Sequence, residues 1–320
     1  WPRRAAREKI CMGSWIQRAP MPTPRHDLQA IVVGKEIYAI SGAGDTTVNA
    51  VEIYDTEADR WREGPQIPTE RGWFGAARVG EKIYAIGGKR LRSEAEKVES
   101  GDDYTFDIRD SVEVLDLETH IWAATESLSS PRAGLLAVAC RGKVYALAGN
   151  SMNTVPNGGP LDRVEIYDPE TGRWAPGVPL PVPVQGPGVA TVDDKIYVFT
   201  GIGGRKGESE VQSCSHVFDP VAREWSELAA VPTPRCDPGA LAVGRKIYTF
   251  GGWGGSATFH TVVEVYDIDS DTWSVAEPLP EKKAWMATAE VGGRIFVMGG
   301  ARSKEEGGYR WIEDLHEYLV

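Results

Sequence analysis

The sequence predicts an all-β fold made of six copies of one four-stranded unit. Three anchors recur along the chain: a lone tryptophan, an apolar–aromatic pair near a glycine, and a β-branched strand that usually ends in Tyr-Asp. From each tryptophan to the aromatic residue of the next pair is 23 residues in all six copies, as from Trp61 to Tyr84. From the strand-ending residue to the next tryptophan is 7 residues, five times out of five, as from Tyr54 to Trp61. Fixed spacings of this kind indicate a repeated rigid unit.

The length of the unit varies only between the aromatic pair and the β-branched strand, where the six intervals are 16, 31, 22, 21, 18 and 22 residues. Each copy reads as a strand of small and apolar residues, the pair, the β-branched strand and the tryptophan strand, which we name strands a, b, c and d. Four antiparallel strands in succession form one blade, and blades that close radially leave few exposed sheet edges. The variable interval is the b–c connection, so we predict one variable loop face on a uniform scaffold.

The two ends of the chain are predicted to share a blade. The last copy ends at Val320 without a tryptophan strand, and Trp15 lies in a segment that belongs to no other copy. We therefore expect a six-bladed β-propeller over residues 13–320, closed by an N-terminal strand that completes the last blade. Residues 1–12 are interpreted as an N-terminal extension. They are not expected to be a secretory signal, because their basic residues are not followed by an apolar stretch.

These features resemble the kelch-repeat family. Three copies carry a glycine doublet after strand b: Gly87-Gly88, Gly251-Gly252 and Gly299-Gly300. The other copies depart from the doublet: Ser41-Gly42, Gly149-Asn150 and Thr200-Gly201. The resemblance covers nearly the whole chain and implies a kelch propeller, but kelch folds serve many functions, so it implies little about this one.

The composition argues against several classes of function. Asp and Glu number 46 against 35 Lys and Arg, a net charge of −11, so nucleic acid is not an expected partner. No apolar run approaches the ~18–20 residues that span a bilayer, so no membrane association is expected. The four cysteines match no zinc spacing and are too few for a disulfide framework, and no N-x-[ST] glycosylation acceptor is present. These features favour a reduced, cytoplasmic protein over a secreted one whose signal has been removed. No motif for a metal or cofactor is present, and we expect neither.

A ring of basic residues is predicted at the channel mouth, where strand a begins. Thirteen residues before the aromatic residue of strand b, five of the six copies carry a basic side chain: Arg25, Arg71, Arg132, Arg235 and Lys283, with Val184 in the remaining copy. Such side chains either satisfy loop carbonyls between blades or pair with an anion. In an acidic protein they would focus positive potential at one mouth, so we expect a small anionic ligand or an acidic peptide or protein there.

Two residues further on, the side chains vary around the ring: Asp27, Trp73, Gly134, Gly186, Asp237 and Trp285. Tryptophans and carboxylates at a channel mouth are typical of pockets for sugars and other polar molecules, although the tryptophans could simply cover apolar strand ends. His26 beside Asp27 is either a general base or a surface histidine. The candidate ligand-binding residues are therefore Arg25, His26, Asp27, Arg71, Trp73, Arg132, Arg235, Asp237, Trp253, Lys283 and Trp285.

The longest b–c connection, Lys89–Asp110, has two interpretations. It is rich in charge, with Tyr104 and Phe106 near its end. It could be a lid over the channel, or a flexible charged insert of the kind that buries too little apolar surface to fold.

Two functions remain open. The resemblance to kelch proteins implies a module that binds an anionic ligand or an acidic peptide through the b–c and d–a loops. Some kelch propellers are instead similar to sugar mutarotases or epimerases that act on a small anionic substrate at the axial mouth. Arg25, Arg235, Asp27 and Asp237 supply suitable residue types, but no motif assigns a catalytic residue. A deep pocket with a buried carboxylate of raised pKa would favour the enzyme, and a shallow open basin a peptide partner.

Overall fold

A computed structural model describes residues 13–100, 105–151, 159–203, 210–255, 258–304 and 308–320. In these residues the chain forms six four-stranded antiparallel sheets, numbered here in chain order. The interpretation of residues 1–12 as an extension lies outside the described residues.

In each sheet, strands a to d follow one another as neighbours. Their bounds are, for sheet 1, Gln29–Val33, Glu36–Ile40, Val51–Asp55 and Arg60–Glu63; for sheet 2, Gly75–Val79, Lys82–Ile86, Val112–Asp116 and Ile121–Thr125; for sheet 3, Ala133–Cys140, Lys143–Asn150, Val164–Asp168 and Arg173–Pro176; for sheet 4, Gly188–Val192, Lys195–Phe199, Ser215–Asp219 and Glu224–Glu227; for sheet 5, Gly239–Val243, Lys246–Phe250, Val263–Asp267 and Thr272–Val275; and for sheet 6, Ala287–Val291, Arg294–Met298, Leu315–Leu319 and Trp15–Arg18.

The sixth sheet contains both ends of the described chain. Trp15–Arg18 pairs antiparallel with Leu315–Leu319, and Trp15 lies opposite Tyr318. This strand takes the position that strand d holds in the other five sheets. Its backbone groups thereby cover the edge that Leu315–Leu319 would otherwise expose.

The a strands lie side by side around a common axis. Each contacts the a strands of the two neighbouring sheets, and those of sheets 1 and 6 contact each other. Small residues allow this approach: a Cβ atom on Gly75 would lie 2.9 Å from the Cβ of Ala137 in the next sheet. The predicted enrichment of small residues in strand a thus has a direct steric cause.

The six tryptophans of strand d join each sheet to its neighbour. Each indole N–H donates to the carbonyl four residues after the tryptophan of the preceding sheet, at 2.8 to 3.3 Å. The donor and acceptor pairs are Trp61 and Ala19, Trp122 and Pro65, Trp174 and Glu126, Trp225 and Val178, Trp273 and Ala229, and Trp15 and Glu277. Because the acceptor offset is constant, one packing solution serves all six junctions.

Shorter elements occur in the loops. They are the strands Lys89–Leu91, Phe106–Ile108, Val184–Gln185, Ile202–Gly203, Glu210–Val211, Ala301–Ser303 and Tyr309–Trp311, and the helix Glu94–Ser100. In the long loop of sheet 2, Lys89–Leu91 pairs with Phe106–Ile108 and the helix follows the first of these strands. The interpretation of this loop as a flexible insert is therefore wrong for its described residues. The described part of the chain holds no helix long and apolar enough to cross a membrane.

Candidate functional site at the loop face

The b–c and d–a connections enclose a cavity of about 590 Å³. Its wall is formed by His26, Asp27, Ala43, Gly44, Asp45, Thr47, Trp73, Lys89, Leu91, Phe106, Gln185, Ile202, Cys236, Asp237, Trp253, Trp285, Tyr309 and Trp311. Every one of these residues lies in a b–c or d–a connection. The cavity therefore lies on the face that carries all the length variation between repeats.

Six equivalent residues, one from each repeat, form a ring that we call the floor ring: Asp27, Trp73, Gly134, Gly186, Asp237 and Trp285. Five backbone hydrogen bonds of 2.7 to 3.0 Å each join the N–H of one member to the carbonyl of the preceding member. One of them runs from Asp27 to Trp285 and so links the first repeat to the last. Beneath the ring, the a strands line a further cavity of about 160 Å³.

Every member of the floor ring has a positive φ, between 49° and 63°. This left-handed conformation suits glycine and costs other residues roughly 1–2 kcal/mol each. Four members are not glycine: Asp27, Trp73, Asp237 and Trp285. The same four line the cavity. Backbone strain of this kind is concentrated at functional sites, so these side chains are the strongest candidates for ligand contact.

Asp237 is the polar centre of the floor. The indole N–H of Trp73 donates to its Oδ1 at 2.8 Å, and that of Trp285 donates to its Oδ2 at 3.2 Å. The glycines of the ring make this possible, because a Cβ on Gly134 would lie 2.8 Å from the Trp73 indole and one on Gly186 would overlap the Asp237 carboxylate. Burial, with a smaller contribution from the charge of Asp27, raises the pKa of Asp237 to about 6.

Asp27 lies close to two side chains that can carry positive charge. His26 Nδ1 lies 3.3 Å and Lys89 Nζ 3.6 Å from Asp27 Oδ2. Burial alone would raise the pKa of Asp27, but the electrostatic attraction of His26 and Lys89 outweighs burial and lowers the pKa. The His26 ring stacks on Trp311, with 4.3 Å between the ring centroids.

The five basic residues of the predicted ring do not reach the cavity. Their side chains are fully buried. Four of them form ion pairs with a glutamate of strand c: Arg25 with Glu52, Arg71 with Glu113 at 2.6 Å, Arg132 with Glu165 at 2.8 Å, and Arg235 with Glu264 at 2.5 Å. Their remaining N–H groups bind mostly loop and strand carbonyls, as Arg25 Nε binds Ser41 O. The prediction that this ring presents positive charge to a ligand is therefore corrected, and its scaffold alternative describes the geometry.

A signal for these ion pairs was present in the sequence. The four copies with arginine have Glu two residues before the strand-ending aromatic or Leu residue of strand c, and the other two copies have His216 or His316 there. The copies with histidine carry Val184 and Lys283 in place of the arginine. The two positions change together because an arginine buried without a carboxylate would be strongly destabilising.

Lys283 is the exception among the basic residues. It is fully buried, and its Nζ has no hydrogen-bond partner among the described residues. Burial lowers the pKa of Lys283 to about 8, and burial together with the charge of Lys283 lowers the pKa of His316 to about 4.

The structure brings together six of the eleven predicted residues around the cavity: His26, Asp27, Trp73, Asp237, Trp253 and Trp285. The other five are the buried basic residues: four arginines in ion pairs with strand c glutamates, and Lys283 at the equivalent position of sheet 6. Five chemically important wall residues were absent from the predicted set: Asp45, Lys89, Phe106, Tyr309 and Trp311. All five lie in b–c loops, whose paths a repeat pattern does not determine. Among the described residues, no three potential metal-ligating side chains come together.

The architecture is that of an all-β repeat protein, with four-stranded sheets around a common axis and the loops of variable length on one face. Models of kelch repeats match much of the chain: one described as the KLHDC2/KLHL20/DRC7 Kelch-repeats domain matches residues 176–319, and two models of the Kelch motif match residues 131–181 and 24–68. The chain belongs to the kelch-repeat family.

Relatives of this chain include Kelch-like protein 41b of Danio rerio, which is 28% identical over 186 residues, 58% of this chain and 30% of the relative. Beta-scruin of Limulus polyphemus is 26% identical over 198 residues, 60% of this chain and 21% of the relative. Kelch-like protein 25 of Xenopus tropicalis is 25% identical over 273 residues, which are 83% of this chain and 43% of the relative. The chain thus spans less than half the length of these relatives.

The fold is also similar to a solved structure described as "Structure of YjhT". The TM-score is 0.77, the sequence identity is 16%, and the match covers 94% of this chain and 96% of the other. At this identity the likeness concerns the fold alone.

Proposed function

We propose that this protein is a binding module, a six-bladed propeller that holds a segment of a protein partner in the cavity of its loop face. The observation that carries the proposal is the floor ring: four non-glycine side chains keep a strained left-handed backbone, and all four line the cavity. A scaffold role alone would be met by glycine, as at Gly134 and Gly186.

The propeller interpretation is supported by the six sheets, by the contacts between successive a strands and by the pairing of Trp15–Arg18 with Leu315–Leu319. We propose that residues 13–320 form one closed domain and that residues 1–12 are an extension to it. The described cysteines, Cys140, Cys214 and Cys236, are free thiols, which supports a reducing compartment such as the cytoplasm.

An anionic ligand or acidic peptide is not what this cavity favours. The arginines that motivated that expectation are already neutralised by glutamates. The wall itself carries three carboxylates, Asp27, Asp45 and Asp237, against one lysine, Lys89. The partner is therefore expected to bring an apolar, neutral or basic group to the cavity.

Selection of a random peptide library displayed on phage tests the proposal. Peptides selected on the wild-type protein should bind at least about fivefold more weakly to a Trp285→Gly, Trp311→Ala variant, because each of the two lost aromatic contacts is worth about 0.5–1.5 kcal/mol. Glycine at position 285 suits the floor-ring backbone, so this variant should keep its fold. Val221→Ser, an exposed change in the c–d turn of sheet 4, is the control. The proposal fails if the selected peptides bind both variants equally.

An enzyme of the sugar mutarotase or epimerase type is the second candidate, and Asp237 favours it. A carboxyl with a pKa of about 6 in a cavity is suited to proton transfer near neutral pH. Exchange NMR on a panel of reducing sugars, including sugar acids, would detect accelerated anomer exchange. Acceleration that Asp237→Asn abolishes and Asp193→Asn leaves intact would support catalysis; no acceleration over buffer would exclude it for that panel.

A further inference from the structure

The cavity wall combines aromatic faces with an excess of negative charge. Six aromatic side chains surround it: Trp73, Phe106, Trp253, Trp285, Tyr309 and Trp311. Aromatic faces attract cations through the ring quadrupole, and nearby carboxylates add to this attraction. The same pairing of groups disfavours an anion, which would meet both the negative ring faces and the carboxylates.

One ammonium group already occupies such a position. Lys89 Nζ lies 4.4 Å from the centre of the Trp73 ring and 4.6 Å from that of Phe106. The same atom is 3.6 Å from Asp27 Oδ2, and the Lys89 side chain is only 16% exposed. The chain thus provides its own example of an alkylammonium group held by two rings and a carboxylate.

A second carboxylate, that of Asp237, forms no salt bridge with any residue that the structure describes. Asp237 accepts hydrogen bonds from the indole groups of Trp73 and Trp285, but both donors are neutral. Burial and the nearby charge of Asp27 make Asp237 hold a proton more strongly than usual. A cation placed above this floor would relieve the same unfavourable charge that the proton relieves.

We propose that the cavity binds the side chain of a lysine or arginine from a basic peptide segment, which competes with Lys89 for Asp27 and Trp73 and is further stabilised by Asp237. The net charge of −11 complements such a partner and would speed its approach. A volume of about 590 Å³ lies within the usual range for ligand pockets and leaves room beside Lys89. This inference rests on the proposed binding function and specifies the chemistry of the bound group.

Titration calorimetry with four capped tripeptides tests the inference directly. They share the form acetyl-Gly-X-Gly-amide, with X as Lys, Arg, Gln or Glu. The Lys and Arg peptides should bind about tenfold more tightly than the Gln peptide, and the Glu peptide more weakly still. Equal binding of the Gln and Lys peptides, or tighter binding of the Glu peptide, would overturn the inference.

Variants identify the groups responsible. Asp237→Asn and Asp27→Asn should each weaken the Lys peptide about tenfold, since each removes one negative charge from the site. The matched control is Asp193→Asn, because Asp193 also has a positive φ, of 48°, and pairs with Arg245 on the opposite face. Lys89→Met keeps the apolar stem and removes the competing ammonium, so it should tighten binding several-fold. A loss of binding in Lys89→Met would show that the site needs that cation, and the inference would fail.

Two further outcomes separate this inference from the proposed function. If displayed peptides bind through the cavity but the selected sequences lack Lys and Arg, the binding module stands and the cationic anchor is wrong. If butylammonium and tetramethylammonium bind while no displayed peptide does, the cation chemistry is present, and the commitment to a peptide partner is overturned together with the proposed function.

Discussion

The indole N–H of Trp15 donates a hydrogen bond of 3.3 Å to the backbone carbonyl of Glu277, 262 residues later in the chain. An equivalent indole–carbonyl bond joins each of the other five pairs of neighbouring sheets. The residues that those five bonds join are much closer in the sequence. Here it joins the first described strand, which is strand d of sheet 6, to the segment that follows strand d of sheet 5. The Trp15 ring also packs against Tyr318 and Phe250, with ring centroids 4.9 and 6.1 Å away.

We therefore predict that Trp15→Ala destabilises the whole domain by about 2–4 kcal/mol, somewhat below the value for a fully buried aromatic residue. Trp61→Ala is the matched comparison and should cost a similar amount, because its indole makes the equivalent bond to Ala19. Urea denaturation measures both. If Trp15→Ala unfolds at the wild-type midpoint while Trp61→Ala does not, the N-terminal strand does not hold the ends together.

The ion pair of Arg25 and Glu52 is predicted to be structural. Arg25→Met alone leaves the Glu52 carboxylate buried without its partner and should cost about 3–5 kcal/mol. Adding Glu52→Leu should recover most of that loss, since apolar pairs often replace buried ion pairs at little cost. A double-mutant cycle in urea gives the coupling energy. Additive effects of the two changes would contradict the assignment.

Sheet 6 has Lys283 and His316 at the positions of the Arg–Glu pair, so introducing that pair should increase the stability of the protein. Lys283→Arg combined with His316→Glu is predicted to raise the free energy of unfolding by about 1–2 kcal/mol, because the new glutamate gives the buried cation a partner that Lys283 Nζ lacks among the described residues. Lys283→Arg alone should destabilise, since the larger cation would remain unpaired. Equal effects of the single and double variants would show that the two positions are not coupled.

His316 should make the wild-type protein sensitive to acid. Burial and the charge of Lys283 lower the pKa of His316 to about 4 in the folded protein. In the unfolded chain its pKa has the ordinary histidine value of about 6.5. Between these values the unfolded state binds more protons, so stability falls as pH drops from 6.5 to 4, by at most about 3 kcal/mol. His316→Gln should lack this component. Urea midpoints of both proteins at pH 4.5 and 7 measure the difference.

The contribution of Asp237 to stability should depend on pH in the opposite direction to that of His316. Its folded pKa of about 6 lies above the ordinary value of 3.8, so its contribution to stability is complete below pH 3.8 and is lost as pH rises through 6. Relative to wild type, Asp237→Asn should therefore gain up to about 3 kcal/mol between pH 4 and 7. Asp193→Asn provides the control. A difference that does not change with pH would mean that Asp237 is ionised throughout this range.

The sequence was sufficient to predict the strands and their order, because each strand follows from a local pattern and the spacings are constant. It also located the floor ring, since Asp27 and its equivalents stand at one fixed offset from the strand b anchor. The direction of the arginine side chains was not predicted, because it depends on glutamates that are distant in the sequence, such as Glu52, which is 27 residues from Arg25. Lys89 was missed because its path over Trp73 is set by the pairing of Lys89–Leu91 with Phe106–Ile108. This b–c loop is longer than those of the other repeats, so the repeat pattern does not determine its path.

The floor ring separates backbone architecture from chemical identity. Its hydrogen bonds use only N–H and C=O groups, so every residue except proline can supply them, and asparagine, aspartate and glycine tolerate the left-handed conformation best. A side chain at position 134 or 186 fits only if Trp73 or Asp237 changes as well. Combinatorial replacement at positions 27, 73, 134, 186, 237 and 285 would therefore change what the cavity recognises while the strands beneath keep their positions. The propeller is therefore a scaffold whose binding specificity can be changed, because each repeat contributes one side-chain position to the floor of the cavity.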